Sequence, residues 1–165
     1  DPDGVAGAVQ AVLDGTAPVA TLAEPLASRE RWRSPDVVKV VRASDGRALY
    51  FSRAPVPHRR GGDETEPGGE RGGGETGAGE PPLFLRHAGL YVFRRDALRR
   101  WTRLPDSRLE DAEGLEQLRA LEAGLDMHVA LGAGGAPGVD TPADLERATR
   151  RLERANHRAG NGHGC

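Results

Sequence analysis

The residues best placed to do chemistry lie in one apolar run, FLRHAGLYVF (84–93), which sets an arginine, a histidine and a glycine among strand-forming side chains. Successive strand side chains point to opposite faces, so Leu85, His87, Gly89, Tyr91 and Phe93 share one side and Arg86 falls on the other. A glycine flanked by His87 and Tyr91 leaves a gap that a ligand or another backbone could enter, with polar tips on either side. The same pattern also describes a core histidine paired with a neighbouring carbonyl beside a buried tyrosine. The residues alone leave both readings open.

Other candidates are scattered. Arg53 ends the run LYFSR and could act as a fork for a carboxylate or phosphate. Glu116 and Gln117 sit beside core leucines, where polar side chains facing water from a helix need no chemistry to explain them. Asp140 follows a strand and precedes a helix, a position where open α/β sheets place ligands and where hard cations find oxygen, although a helix-start aspartate needs no ligand. Of two glycine-rich stretches, GGGETG (72–77) is acidic and opens no helix, and GAGGAPGVD (132–140) puts Pro137 where a dinucleotide loop needs glycine. No serine, histidine and acid spacing suggests a nucleophile triad, and His128 reads as structural.

The elements that must position these residues alternate between types. A helix is expected from Asp3 as cap to Gly15, with Val5, Val9, Val12 and Leu13 as its apolar face. Strands are expected over 19–26, 36–43, 47–54, 84–93 and 126–132, the second and third joined through Ser44, Asp45 and Gly46 as a hairpin. Helices are expected over 95–104 and 107–124, the latter with a stripe of Ala112, Leu115, Leu118, Leu121 and Leu125. Thr141, Pro142 and Asp144 form a capping box for a last helix to Ala155, with Glu146 and Arg150 paired one turn apart. Between them, 57–82 holds nine of the chain's 23 glycines and almost nothing apolar, which reads as a flexible loop. The segment 156–165 reads as a disordered tail. Strands interleaved with helices predict an α/β layered fold.

With 165 residues, 37% apolar, and a formal net charge of -2, the chain has the size and balance of one domain. Its 23 basic residues, of which only Lys39 is a lysine, are matched by 25 acidic ones, so no nucleic-acid surface is indicated. The single cysteine, Cys165, excludes a disulfide framework. No apolar run has the length of a membrane span and no leader precedes the first helix, so a cytoplasmic setting is expected.

Taken together, VVKVV, ALYFSRAPVP, FLRHAGLYVF, LEQLRALEAG, MHVAL and GVDTPADLERA occur in an order and spacing that resembles the C-terminal part of the 3-deoxy-manno-octulosonate cytidylyltransferases, the CMP-Kdo synthetases. The resemblance runs from about the first residue to Ala155, as one domain. It implies a nucleotide-diphospho-sugar transferase-like, Rossmann-like α/β fold, incomplete at its N-terminus, and a cytoplasmic homodimer. The activity implied is transfer of CMP from CTP to 3-deoxy-manno-octulosonate (Kdo), with Mg2+, for lipopolysaccharide biosynthesis. Carried over by position, Arg53, His87, Tyr91, Glu116 and Gln117 would line the sugar pocket and Asp140 would bind magnesium. The family's N-terminal nucleotide loop, cytosine-recognition segment and acidic motif are not in this sequence, so the chain is expected to be a fragment without activity alone. Two other readings are a noncatalytic remnant or dimerisation module, and an enzyme for a related acid sugar such as 8-amino-Kdo or a sialic acid.

Overall fold

The computed structural model describes residues 2–60, 67, 81–132, 145, 146, 149, 150 and 153. Asp140, the capping box and the 156–165 tail fall outside these residues, as does most of the 57–82 loop. The chain divides into two compact units, Asp1–Gly134 and Gly135–Cys165.

The first unit is built on β1 (Val19–Pro25), which is buried along its length except at Pro25. A strand without alternation must be covered on both faces, and VATLAEP lies in the interior of a five-stranded sheet of order β3-β2-β4-β1-β5. On one side β1 pairs antiparallel with β4 (Leu85–Phe93), and on the other it runs parallel to β5 (Met127–Leu131). β2 (Lys39–Arg42) and β3 (Ala48–Ser52) form the expected hairpin, whose turn closes through Ala43 N–H to the Arg47 carbonyl at 2.8 Å. Gly46 in this turn has φ 94°, a conformation that side chains rarely adopt.

Helix α1 (Pro2–Leu13) covers one face of the sheet, where Ala8, Ala11 and Val12 pack on Ala20, Leu22 and Ala130. Small residues make this contact because they let the helix approach the sheet closely. The larger Val9 and Leu13, expected on the inner stripe, are 38% and 73% exposed. The opposite face carries the main core, including Val19, Ala23, Val40, Phe51, Leu85, Leu118 and Met127. Burying one such large side chain contributes roughly 1.5–3 kcal/mol. A short helix α2 (Arg29–Arg33), not foreseen from the sequence, is capped by Ser28 and buries Trp32 against Phe84.

Three helices lie between β4 and β5: α3 (Arg95–Trp101), α4 (Arg108–Glu113) and α5 (Gln117–Glu122). The single helix expected over 107–124 is therefore two. Ser107 caps α4 by accepting the Glu110 N–H at 3.0 Å, and Gly114, at φ 62°, ends it in a left-handed residue. The break reorients the chain, so Leu115, Leu118 and Leu125 are buried while Ala112, expected in the same stripe, is exposed. In the second unit, 145, 146, 149, 150 and 153 are helical, and the expected Glu146–Arg150 pair forms at 3.1 Å.

Candidate active site

Strand β4 carries the histidine and tyrosine singled out above, and its pairing with β1 is irregular where they stand. Thr21 lies opposite Tyr91 and Ala23 opposite His87, so Leu22 of β1 faces the three residues 88–90 of β4. Because the bulge adds an even number of residues, His87 and Tyr91 stay on one face. Gly89 sits in the bulge at φ 68°, and a Cβ there would meet nothing within 4 Å, so its need for glycine is conformational.

Thr21 locks this bulge. Its hydroxyl donates to the Leu90 carbonyl at 2.6 Å and lies 2.8 Å from His87 Nε2. A threonine hydroxyl has one proton, which the carbonyl takes, so Nε2–H must donate to the hydroxyl oxygen. In the neutral ring that burial favours, this leaves Nδ1 as the acceptor, with a lone pair that no described residue fills. Burial, followed by the charge of Arg86, pushes its pKa down to about 4. Arg86 itself points away from His87 and pairs with Glu24 across the strands.

Tyr91 stands in a chain of rings with His87 at 5.3 Å, Phe93 at 5.9 Å and Trp101 at 5.6 Å between centroids. Phe51 closes on the other side of His87 at 4.9 Å. Burial raises the Tyr91 pKa, and the negative charge of Glu116, just before α5, raises it further. Glu116 is exposed, whereas Gln117 beside it is buried. No described residue hydrogen-bonds the Gln117 amide, the Tyr91 hydroxyl or His87 Nδ1. Since no described buried polar atom of a side chain lacks a partner, these unfilled groups reach solvent.

Arg53 follows directly on β3 and is held on several sides. Its Nε donates to the Glu113 carbonyl at 2.8 Å and one terminal nitrogen donates to the Pro35 carbonyl at 3.0 Å. The Glu113 carboxylate accepts the Arg53 backbone N–H at 2.8 Å and the Ser52 hydroxyl at 2.6 Å. Burial opposes the charge on Glu113, but the Ser52, Arg53 and Tyr50 hydrogen bonds and the Arg53 charge hold its pKa below the usual range. On the far side, Lys39 is wholly buried and its ammonium donates to the carbonyls of Ser34, Val37 and Arg53. Burial lowers its pKa to about 8, with Glu113 opposing the shift and Arg53 adding to it.

Of the sequence-derived candidates, the structure sets His87 and Tyr91 ring to ring, leaves Glu116 near enough for its charge to act on the phenol, and packs Arg53 against the end of α4 that leads to Glu116 and Gln117. His128 is separate: it lies against the hairpin turn, where a Cβ on Gly46 would come within 2.3 Å of its ring. Among the described residues no three histidine, cysteine, aspartate or glutamate side chains cluster to hold a metal ion. Sequence reasoning missed Thr21, Lys39 and Glu113. The one lysine of the chain, set among valines in VVKVV, was a legible sign of a buried charge. Nothing in LEDAEGLEQL marks Glu113, since the helix break that turns it toward Ser52 is a tertiary outcome.

A nucleotide-transferring class is what this sheet, with its polar site on one face, resembles among known proteins. Residues 2–127 match the cytidylyltransferase family model, and the chain belongs to that family. It is 46% identical over 152 residues to the 3-deoxy-manno-octulosonate cytidylyltransferase of Anaeromyxobacter dehalogenans (strain 2CP-C), covering 92% of this chain and 55% of the relative. The protein of the same name from Nitrosococcus oceani is 47% identical over 146 residues, covering 86% and 53%. A solved structure of CMP:2-keto-3-deoxy-manno-octonic acid synthetase complexed with CTP superposes with a TM-score of 0.75 at 35% identity, over 93% of this chain and 57% of that one. The chain thus spans about half the length of these relatives. The mixed α/β layering expected from the sequence agrees with this neighbour.

Proposed function

We propose that the chain is the sugar-binding part of a CMP-Kdo synthetase, transferring CMP from CTP to 3-deoxy-manno-octulosonate and releasing pyrophosphate. The observation that supports this most directly is the set of polar groups that no described residue fills, at His87 and Tyr91 of β4 and at Gln117 of α5. His87 Nδ1 offers an acceptor, Tyr91 a hydroxyl, and Gln117 an amide with both donor and acceptor. Such a set suits a polyhydroxylated ligand, whose many hydroxyls need partners in fixed directions. Beyond the donors given to Glu113 and Pro35, Arg53 has guanidinium N–H groups that no described residue fills, suiting the sugar's carboxylate. Glu116 completes the pocket.

In the reaction the anomeric hydroxyl of the sugar attacks the α-phosphorus of CTP. An oxygen–phosphorus bond forms, the bond to the β-phosphate breaks, and the hydroxyl proton leaves. These residues would contribute by orienting the acceptor for in-line attack, which lowers the entropic part of the barrier. Cytidylyltransferases of this kind use a divalent metal. Magnesium, when bound, offsets phosphate charge, and Asp140 is proposed as a ligand to it. A cytoplasmic homodimer serving lipopolysaccharide synthesis belongs to the same proposal; no described helix is long and apolar enough to cross a membrane.

The test is CTP-dependent pyrophosphate release with Kdo, measured on the full-length product of the gene. Activity with Kdo, and a raised KM for Kdo in Tyr91→Phe and His87→Ala, is the expected result. Unchanged kinetics in both variants would remove the pocket assignment, and a preference for 8-amino-Kdo or a sialic acid would reassign the substrate.

A further inference from the structure

We propose that Lys39 and Glu113 are positioning residues for Arg53, gripping its backbone on both sides so that its guanidinium meets an acidic ligand from one fixed direction. This rests on the reading of Arg53 as a sugar-carboxylate ligand. Four contacts from three places hold this one residue. The Glu113 carboxylate takes its N–H at 2.8 Å, the Lys39 ammonium gives a proton to its carbonyl, the Glu113 carbonyl takes Nε at 2.8 Å, and the Pro35 carbonyl takes a terminal N–H at 3.0 Å.

Both gripping groups are themselves fixed. Lys39 is wholly buried on β2 and gives its other two protons to the carbonyls of Ser34 and Val37. Three carbonyl acceptors use three protons, and only the ammonium carries three. Glu113 is braced by Ser52 at 2.6 Å and by the Tyr50 hydroxyl. The strand itself also places Lys39 here, since it pairs with Ser52, the residue before Arg53. Downstream, Trp32 Nε1 donates to the Val56 carbonyl at 3.0 Å and holds the other end of the segment. An arginine on a loop normally samples many rotamers, and immobilising such a side chain on binding weakens affinity. Here much of that ordering exists before a ligand arrives.

A purely structural lysine and glutamate would fit the same contacts, so the test separates the two roles. In the full-length enzyme, Arg53→Ala is expected to raise the KM for Kdo by about tenfold to a hundredfold, in keeping with loss of a hydrogen bond to a charged group. Glu113→Gln and Lys39→Met should each raise it by about tenfold while leaving the KM for CTP unchanged. Combined with Arg53→Ala, neither should raise the KM for Kdo further, because no guanidinium remains to be positioned. Glu113→Gln, with its shape retained, keeps the test open if the buried Lys39→Met does not fold. Additive effects in the double variants, or equal rises in both KM values, overturn the positioning role while leaving the Arg53 reading intact. An unchanged KM for Kdo in Arg53→Ala overturns the Arg53 reading, and the positioning role with it.

Discussion

Acid should loosen this fold through His87, and the size of the effect follows from its surroundings. The ring is buried, its Nε2–H is committed to Thr21, and its pKa stands at about 4 against 6.5 for a free histidine. The unfolded chain therefore takes up this proton at a higher pH than the folded one, and protonation favours unfolding. The contribution is complete above pH 6.5, is lost as pH falls toward 4, and stays constant below that. At 1.36 kcal/mol per pH unit the gap amounts to about 3 kcal/mol in full, of which about 2 kcal/mol is lost between pH 7 and 5. Lowered carboxylates such as Glu113 act in the same direction at lower pH, so wild type alone is not a clean reading. His87→Gln keeps a donor near Nε2 and cannot titrate. Urea unfolding of both chains at pH 7 and 5, followed by circular dichroism, should show wild type losing about 2 kcal/mol more than the variant. Parallel losses would refute the buried neutral imidazole, as would an NMR titration of His87 with a midpoint near 6.5.

Thr21→Val should destabilise the chain by roughly 1–3 kcal/mol, because the Leu90 carbonyl and His87 Nε2–H lose their shared partner in the interior; a urea midpoint unchanged within error would contradict the tautomer argued above. Gly46→Ala should cost more than Gly89→Ala by thermal melting. Both positions have positive φ, but only at Gly46 does the new Cβ run into a neighbour, 2.3 Å from the His128 ring. Equal melting temperatures would mean that the ring moves aside freely. Ser107→Ala should lower stability by about 1 kcal/mol through loss of the cap on the Glu110 N–H, read from the same urea curves.

The strands were legible because their signals are local. The short, mostly apolar run of β1, the Asp45-Gly46 turn of the hairpin and the alternation through His87 and Tyr91 depend on neighbours a few residues away. Helix α1 was found and two of its expected inner residues, Val5 and Val12, do pack on the sheet, but Val9 and Leu13 do not, since size favours them whereas close approach to the sheet selects Ala8 and Ala11. The 107–124 helix was read through Gly114, because a glycine is tolerated within a helix and only its φ of 62° reveals a C-cap.

His87, Tyr91, Arg53, Glu116 and Gln117 were nominated by residue type and by motifs in order along the chain. The packing of Phe51 and Trp101 around His87 and Tyr91, and the grip of Lys39 and Glu113 on Arg53, were decided by the tertiary structure alone. The physical reason is distance along the chain: Glu113 meets Arg53 across 60 residues and Thr21 meets His87 across 66, so no local pattern encodes either contact. Sequence periodicity determines which way a side chain points from its own strand or helix. Which partner waits there depends on how the sheet is ordered and where α4 ends.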